Sequence, residues 1–342
     1  MTKLIIQIPC LNEAETLPAT LADLPKSIPG IDIIEVLVID DGSRDGTADV
    51  ARAAGVDHIV RLRRNKGLAA AFAAGIDASL KAGADVIVNT DADNQYDGRQ
   101  IPALIEPLLQ GTADIVIGDR NVAELAQFSW RKRQLQRLGS WVVRQVSNTQ
   151  VPDTTSGFRA YTREAALRMT IVSEFSYTLE SIIQAGKKRM AIAHVPIVTN
   201  PRTRESRLFD SVFSYIKRSG ATIVRIYAMY EPLKIFSYIG LSILTVGVLL
   251  SLRGLYNYLS PNAWGPRNVQ SLLLAAVFAI IGFQILLIGL LADVISANRK
   301  LLEDLVYRVR SLELPQPGND QAADAEPTPA LSNTGASRRW ER

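Results

Sequence analysis

The sequence predicts an α/β domain built on a largely parallel sheet, followed by an amphipathic helix and two membrane-spanning helices. Three observations carry this. Short apolar runs alternate with helical patterns over roughly the first 200 residues. Each run stops in a polar cluster. Two long uncharged apolar segments follow near the C-terminus.

The elements run in order. Leu4–Ile8 is a short β-rich run ending at Pro9-Cys10-Leu11-Asn12-Glu13, and Ala14–Leu24 reads as a helix that Asn12 can cap. Ile33–Ile39 is a second run, stopped by Asp40-Asp41-Gly42-Ser43, with Arg44–Ala54 helical behind it and Ser43 or Asp45 as its cap. His58–Leu62 is a third strand, and Gly67–Leu80 an Ala-rich helix after Asn65-Lys66. Asp85–Asn89 is a fourth strand ending in Thr90-Asp91-Ala92-Asp93. Arg99–Leu109 is a helix and Asp114–Ile117 a fifth strand. Near-continuous apolar strands fit a sheet covered on both faces. Sites in such sheets lie beyond the carboxyl ends of the strands. The polar clusters Asn12/Glu13, Asp40/Asp41, Asp91/Asp93 and Asp119/Arg120 all occupy those ends.

Ile235–Leu252 and Ser271–Ala292 carry no charge, and each can cross a hydrocarbon layer of ~30 Å at ~1.5 Å per residue. Buried soluble helices of that length normally keep a polar face. The connector, Arg253–Gln270, holds two basic residues, Arg253 and Arg267. The outer flanks hold Lys217, Arg218, Arg225 and Lys234 on one side and Arg299, Lys300, Arg308 and Arg310 on the other. The positive-inside rule then places both ends in the cytoplasm. Tyr256, Tyr258 and Trp264 suit the far interface. The organisation is an α/β domain at 1–210, an amphipathic juxtamembrane helix at 211–232, the two spans at 233–295, a cytoplasmic helix at 296–310 and a disordered tail at 311–342. For the segment 211–232 a helix of the soluble domain is the alternative.

The chain has 342 residues, 38 Lys and Arg against 34 Asp and Glu, and a formal net charge of +4. No basic tract interleaved with aromatics points to nucleic acid. The single cysteine, Cys10, allows no internal disulfide, which suits a reducing compartment. The first apolar run is too short for a signal peptide.

Asp91 and Asp93, one residue apart after a strand, can both point into one cleft. They suit a hard divalent cation that also takes substrate phosphates, and Gln95 can add a carbonyl oxygen. An isolated Asp-x-Asp is common in turns; its strand-end position beside a second acidic pair makes it informative. The Asp40-Asp41 carboxylates can accept from ribose hydroxyls or a base N–H. Asn65-Lys66-Gly67 opens a helix whose N-terminus favours a phosphate.

Five motifs occur in order: Ile8-Pro9 to Asn12-Glu13; Val38-Ile39-Asp40-Asp41-Gly42-Ser43-Arg44-Asp45-Gly46-Thr47; Asn65-Lys66-Gly67; Asp91-Ala92-Asp93; and Thr155-Ser156-Gly157-Phe158-Arg159. Over about residues 3–210 the chain resembles family-2 glycosyltransferases of the GT-A (Rossmann-like) fold. More narrowly, it is similar to the polyprenyl-phosphate hexosyltransferases, which include dolichol-phosphate mannose synthases and bacterial undecaprenyl-phosphate glucosyltransferases. The resemblance implies roles by position. Pro9, Leu11, Asn12, Glu13, Asp41, Lys66, Gly67, Asp91 and Ala92 would hold the nucleotide-sugar, and Asp91, Asp93 and Gln95 would bind Mg²⁺ or Mn²⁺. Arg120 would face the reacting phosphates and Asp153 the sugar. Arg133 and Arg137, in the cationic segment Trp130–Ser140 with Arg131 and Lys132, would meet the acceptor phosphate, as would Ser156 and Arg202. Gly118-Asp119-Arg120 stands where many relatives have Gly-Ser-Arg. Relatives with two spans imply a homo-oligomer.

A lipid monophosphate is anionic near neutral pH and needs no strong general base. Carboxylates with a metal would offset the leaving diphosphate, and arginines would hold the attacking phosphate. A single in-line displacement inverts the anomeric centre. His58 and His194 sit in or beside apolar runs and read as structural. The expected reaction moves a hexose from a nucleotide-sugar to undecaprenyl or dolichyl phosphate at the cytoplasmic face of a bacterial inner membrane. UDP-glucose leads as donor and GDP-mannose follows. A processive polysaccharide synthase is one rival, but its Gln-x-x-Arg-Trp motif is broken here by Leu138 after Gln134 and Arg137. A non-catalytic membrane scaffold is the other.

Overall fold

The computed structural model describes residues 1–120, 141–172, 177–201, 212–259 and 266–314. Its strands are β1 (Lys3–Cys10), β2 (Ile33–Asp40), β3 (His58–Arg61), β4 (Val86–Asn89), β5 (Ile115–Asp119), β6 (Arg159–Thr162) and β7 (Ile192–Pro196). Its helices are α1 (Leu17–Ala22), α2 (Thr47–Ala53), α3 (Leu68–Lys81), α4 (Ile101–Leu109), α5 (141–147), α6 (Arg163–Arg168), α7 (Tyr177–Lys187), α8 (Val212–Tyr230), α9 (Pro232–Leu259) and α10 (Pro266–Glu313).

One seven-stranded sheet has the order β3-β2-β1-β4-β6-β5-β7. β6 is antiparallel to β4 and β5, and the other pairings are parallel. The apolar strands are continuous because both faces are covered. Ile5, Leu37, Ile39, Ile87 and Ile117 join α3 and α7 on one face. Leu4, Ile6, Ile8, Val38, Val88 and Val116 meet α1 and α4 on the other. Pro9 is tolerated inside β1 because the β1–β4 ladder ends at Gln7–Asn89, so no partner requires its missing N–H.

Several ends differ from the sequence expectation. Asn12 does not cap α1. It adopts a left-handed φ of 55°, its Oδ1 accepts from Arg44 N, and Thr16 occupies the cap position. Gly46 occupies the cap position of α2, but Asp45 Oδ1 still accepts from the first helical amide, Thr47 N, at 3.1 Å. Ser43 Oγ accepts from Asn12 N and Asp45 Oδ2 from Ala14 N, which laces the loop after β1 to the loop after β2. The four-residue β6 and the five-residue β7 were outside the expected strands. β6 carries the fully buried Arg159, whose guanidinium donates to the Ser156, Thr154 and Thr178 carbonyls and to Ser181 Oγ at 2.6–3.0 Å.

α9 and α10 are long and apolar enough to cross a membrane. They pack along small residues seven apart: on α9 Gly240 meets Gly282, Gly247 meets Ala275 and Gly254 lies on Leu272, while Gly289 of α10 lies on Phe236. A Cβ on Gly247 would lie 2.9 Å from Ala279 N, and one on Gly282 would lie 2.7 Å from Leu244 N. Close backbone approach replaces the hydrophobic effect as the source of helix contact in lipid, and the seven-residue repeat sets a left-handed seam. The second apolar run and the stretch 296–310 form one uninterrupted helix. Its end folds back on the α/β domain. Arg310 Nη1 donates to Met169 O at 3.0 Å, and Tyr307 OH donates to Glu164 Oε2 at 3.1 Å beneath the Arg168 guanidinium. On α8, Thr222, Ile226 and Tyr230 are buried, and Ile226 and Tyr230 join the core that includes α7, while Val224 and Arg225 point outward.

Arg159→Leu would remove four hydrogen bonds from the core. It is expected to cost about 3 kcal/mol or more, seen as a lowered melting temperature in detergent. An unchanged melting temperature would contradict a structural role for this guanidinium.

Candidate active site

The carboxyl ends of β1, β2, β4 and β5 lie on one edge of the sheet, with the chain order reversing between β1 and β4. The loops after these strands therefore meet in one crevice. β6 enters from that edge because it runs the other way, which brings Asp153–Phe158 to the same place.

Asp91 follows β4 at the floor of the crevice. Burial and the Asp93 charge push its carboxyl up to about 7, against the opposing pull of Arg120. Its position is fixed from behind by a buried polar chain. Gln7 Nε2 donates to Asn89 Oδ1 at 2.9 Å, and Asn89 Nδ2 donates to Gly157 O at 2.8 Å and Tyr177 OH at 2.9 Å. Tyr177 stacks on Phe72 with ring centroids 4.0 Å apart. Gly157 N donates to Tyr96 OH at 3.0 Å, and Tyr96 stacks on Phe158. Gly157 lies against the acid: a Cβ there would sit 3.0 and 3.1 Å from the two Asp91 carboxylate oxygens. Asp93 Oδ1 accepts from Gln95 N at 3.1 Å, which shapes the turn with Asn94 at φ 55°.

Arg120, just past β5, grips Asp153 with two hydrogen bonds, Nε to Oδ2 at 2.7 Å and Nη2 to Oδ1 at 3.0 Å. Its Nη2 also reaches Thr155 Oγ1 at 2.8 Å. Burial opposes both charges, yet the pair prevails: Asp153 is held below the usual carboxylate range and Arg120 above the usual guanidinium range, with Tyr96 and Asp91 also acting on Arg120. Asp153 and Arg120, expected at the sugar and at the phosphates, thus form one bidentate unit. Ser156 Oγ is buried with no hydrogen-bond partner among the described residues.

On the other side, Asp41 is buried, and its two oxygens accept from Lys66 N at 2.8 Å and Gly67 N at 2.9 Å. The amides that open α3 thus already face a carboxylate. Gly42 makes this approach possible, because a Cβ at its φ of 77° would lie 2.7 Å from the Arg64–Asn65 backbone. Glu13 Oε2 accepts from Thr16 Oγ1 at 2.7 Å and Glu13 N donates to Thr47 Oγ1. Leu11 is exposed, Pro9 and Ala92 are buried, and the Lys66 side chain is exposed. Cys10 lies under these acids, and burial, with Glu13 and Asp40 next, pushes its thiol well up. The segment toward Arg202 packs on the acidic turn: Asn200 N donates to Gln95 O at 2.9 Å and Asn200 Nδ2 to Asn94 O. Arg133, Arg137 and Arg202 lie outside the described residues.

Asn89, Tyr96, Gly157 and Tyr177 shape the site without having been singled out individually. The one signal available for Asn89 was an amide ending an apolar strand.

Among the described residues no group of three or more His, Cys, Asp or Glu side chains could hold a metal alone. Asp91 and Asp93 nonetheless fit a divalent cation. Two neighbouring carboxylates in a buried setting, one with a raised pKa, are what a cation with phosphate co-ligands offsets.

The model of the family described as "Glycosyl transferase family 2" matches residues 5–169. An undecaprenyl-phosphate mannosyltransferase of Micrococcus luteus is 32% identical over 56% of this chain and 80% of its own length. Glycosyltransferase AglJ of Haloferax volcanii is 28% identical over 90% of this chain and 97% of its own. A polyprenol monophosphomannose synthase of Mycolicibacterium smegmatis is 29% identical over 58% of this chain and 77% of its own. The glucosyl-3-phosphoglycerate synthase of Mycobacterium tuberculosis, solved with Mn²⁺, UDP and product, shares the fold. Its TM-score is 0.50 at 21% identity, over 66% of this chain and 79% of that one. The chain belongs to glycosyl transferase family 2.

Two predictions follow from this geometry. The folded-state pKa of Asp91 is raised above the unfolded value, so its ionised form destabilises the metal-free protein increasingly as pH rises from about 4 through 7. Asp91→Asn should therefore raise the melting temperature by several degrees at pH 8 and leave it unchanged near pH 4. Equal melting of the two proteins at pH 8 would contradict the raised value. Gly157→Ala should cut turnover on the order of 100-fold by displacing Asp91 while circular dichroism stays unchanged. Near-normal turnover would show that the contact is unimportant.

Proposed function

We propose that this protein transfers a hexose from a nucleoside-diphosphate sugar to a polyprenyl phosphate at the cytoplasmic face of the membrane, with inversion. The observation that carries the reading is the placement of the crevice relative to the anchor. α7 begins at Tyr177, hydrogen-bonded to Asn89 under Asp91, and ends at Lys187, ion-paired with Glu231 at the foot of α9. Its 11 residues span about 16 Å. A lipid acceptor would have to bring its phosphate across that span to the crevice.

Asp91 and Asp93, with Gln95, would hold Mg²⁺ or Mn²⁺, which when bound neutralises charge on the diphosphate leaving group. The Mn²⁺ and UDP of the M. tuberculosis synthase support a divalent cation and a nucleotide on this fold. Glu13 and Asp41 line the side assigned to the nucleoside. The Asp153 carboxylate fixes the Arg120 guanidinium plane, so that a cation is already oriented where negative charge gathers. Arg133, Arg137 and Arg202 would add positive charge around the acceptor. An acceptor phosphate oxygen attacks the anomeric carbon as the bond to the diphosphate oxygen breaks and its electron pair leaves with the diphosphate. The acceptor is already anionic, so no side chain has to remove a proton from it.

The relatives named for mannose transfer favour a mannosyl donor; UDP-glucose, placed first on the sequence alone, is the competing donor. The test incubates membranes holding the protein with polyprenyl phosphate and labelled UDP-glucose or GDP-mannose, with Mg²⁺, Mn²⁺ or EDTA. Label should enter the lipid fraction with one donor, only with metal. Asp93→Ala should abolish transfer while the protein stays folded and membrane-bound. Absence of labelled lipid in every metal-containing sample would refute the reading.

A further inference from the structure

A second cavity, of about 560 Å³, lies where the α/β domain meets the long helices. Lys187 at the end of α7, Lys188 just after it, Leu233 and Lys234 at the start of α9, and Asp293 and Lys300 of α10 are among the residues that line it. It is not part of the catalytic crevice. β6 ends at Thr162, opposite the first residue of β4, and β7 begins at Ile192, opposite the first residue of β5. α6 follows β6 and α7 leads toward β7. Arg168, Lys187 and Lys188 therefore stand at the amino edge of the parallel strands, whereas Asp91 and Arg120 stand at the carboxyl edge.

The charges of this cavity do not cancel. Glu231 is ion-paired with both Lys187 and Lys234. Glu303 is paired with Lys188 at 3.0 Å and with Arg299 at 2.9 Å. Each of these carboxylates thus has two cations, which leaves one positive charge in excess at each. Arg168 is matched by Glu164, and Asp304 by Arg308. Arg299, Arg308 and Glu164 lie outside the lining; the lining itself holds five cations, Lys300 among them, against the four carboxylates Glu231, Asp293, Glu303 and Asp304, one positive charge in excess. The position is equally telling. Leu233 and Lys234 open the first apolar helix, and Asp293 follows directly on the apolar run 271–292. The cavity therefore lies at the depth where head groups end the hydrocarbon layer. Basic pockets there are matched to anionic head groups.

We propose that this cavity binds the phosphodiester head group of an anionic membrane lipid. The occupant would sit against α7, α9 and α10 together, joining the α/β domain to the anchor at the end of α7 remote from Asp91. The proposal does not depend on sugar transfer.

The test uses the full chain in nanodiscs of equal phosphatidylglycerol and phosphatidylcholine, released for native mass spectrometry. The unaltered protein should retain phosphatidylglycerol in preference. Lys234→Gln with Lys300→Gln should weaken that preference on the order of fivefold for each lysine removed. Lys300→Glu alone, at an exposed position, serves if the double variant melts early; Lys300→Arg should keep the preference. Equal retention of both lipids, or an unchanged preference in the variants, would overturn the proposal. In a parallel arm, inorganic phosphate is added to lipid-free protein in detergent. Phosphate bound by the unaltered protein and lost in the variants would assign the cavity to a soluble anion and overturn the lipid assignment. No phosphate binding alongside phosphatidylglycerol retention supports it.

Discussion

The side chain of Asn89 joins the sheet to the site. It ends β4 fully buried, accepts from Gln7 across the β1–β4 ladder and donates to Gly157 and Tyr177. An amide in that setting must satisfy its donors and acceptor, since an unpaired buried polar group costs about 1–3 kcal/mol. That requirement draws three distant pieces of chain together: the strand carrying the first motif, the loop carrying Gly157 and the first turn of α7. Asp91 sits two residues further on and is placed by the same constraint. Burial first, and the Asp93 charge next, raise the pKa of that acid.

The same arrangement links chemistry to the membrane. α7 is buried along most of its length and bears Tyr177 at one end and Lys187 at the other. Its far end meets Glu231 between α8 and α9, and Lys188 meets Glu303 on α10. α10 continues past its apolar run to hold α6 through Tyr307 and Arg310. The α/β domain is thus fixed to the two long helices at several points along α10. In the proposed reaction a lipid acceptor would gain from this, because a fixed crevice limits the arrangements its phosphate has to search.

Much of this was legible in the sequence. Asp91, Asp93, Glu13 and Asp41 stood out because charged residues directly after apolar strands have a topological meaning in a parallel sheet. The two long apolar helices were legible from length and lack of charge. What was not legible is non-local. Gln7, Asn89 and Tyr177 are far apart in the chain, and nothing in their neighbourhoods shows that they bond to one another. β6 has four residues, one of them an arginine, and it is a strand because its backbone pairs with β4 on one side and β5 on the other, which no periodicity shows. Asn12 looked like a helix cap because its type suits one; a left-handed backbone turned it to Arg44 instead. The apolar face of α8 was readable, but that it packs in part on the core with α7 was a tertiary fact.

The account rests on one bond being made: from the anomeric carbon of the sugar to the phosphate of a membrane lipid, with inversion, in the crevice of Asp91, Asp93 and Arg120. The most direct measurement is NMR of the lipid product formed from a donor labelled with ¹³C at the anomeric carbon. The account predicts a single sugar whose labelled carbon couples to phosphorus, with the anomeric configuration opposite to that of the donor. Retained configuration, a labelled carbon with no phosphorus coupling, or a growing polymer in place of a single sugar would contradict it.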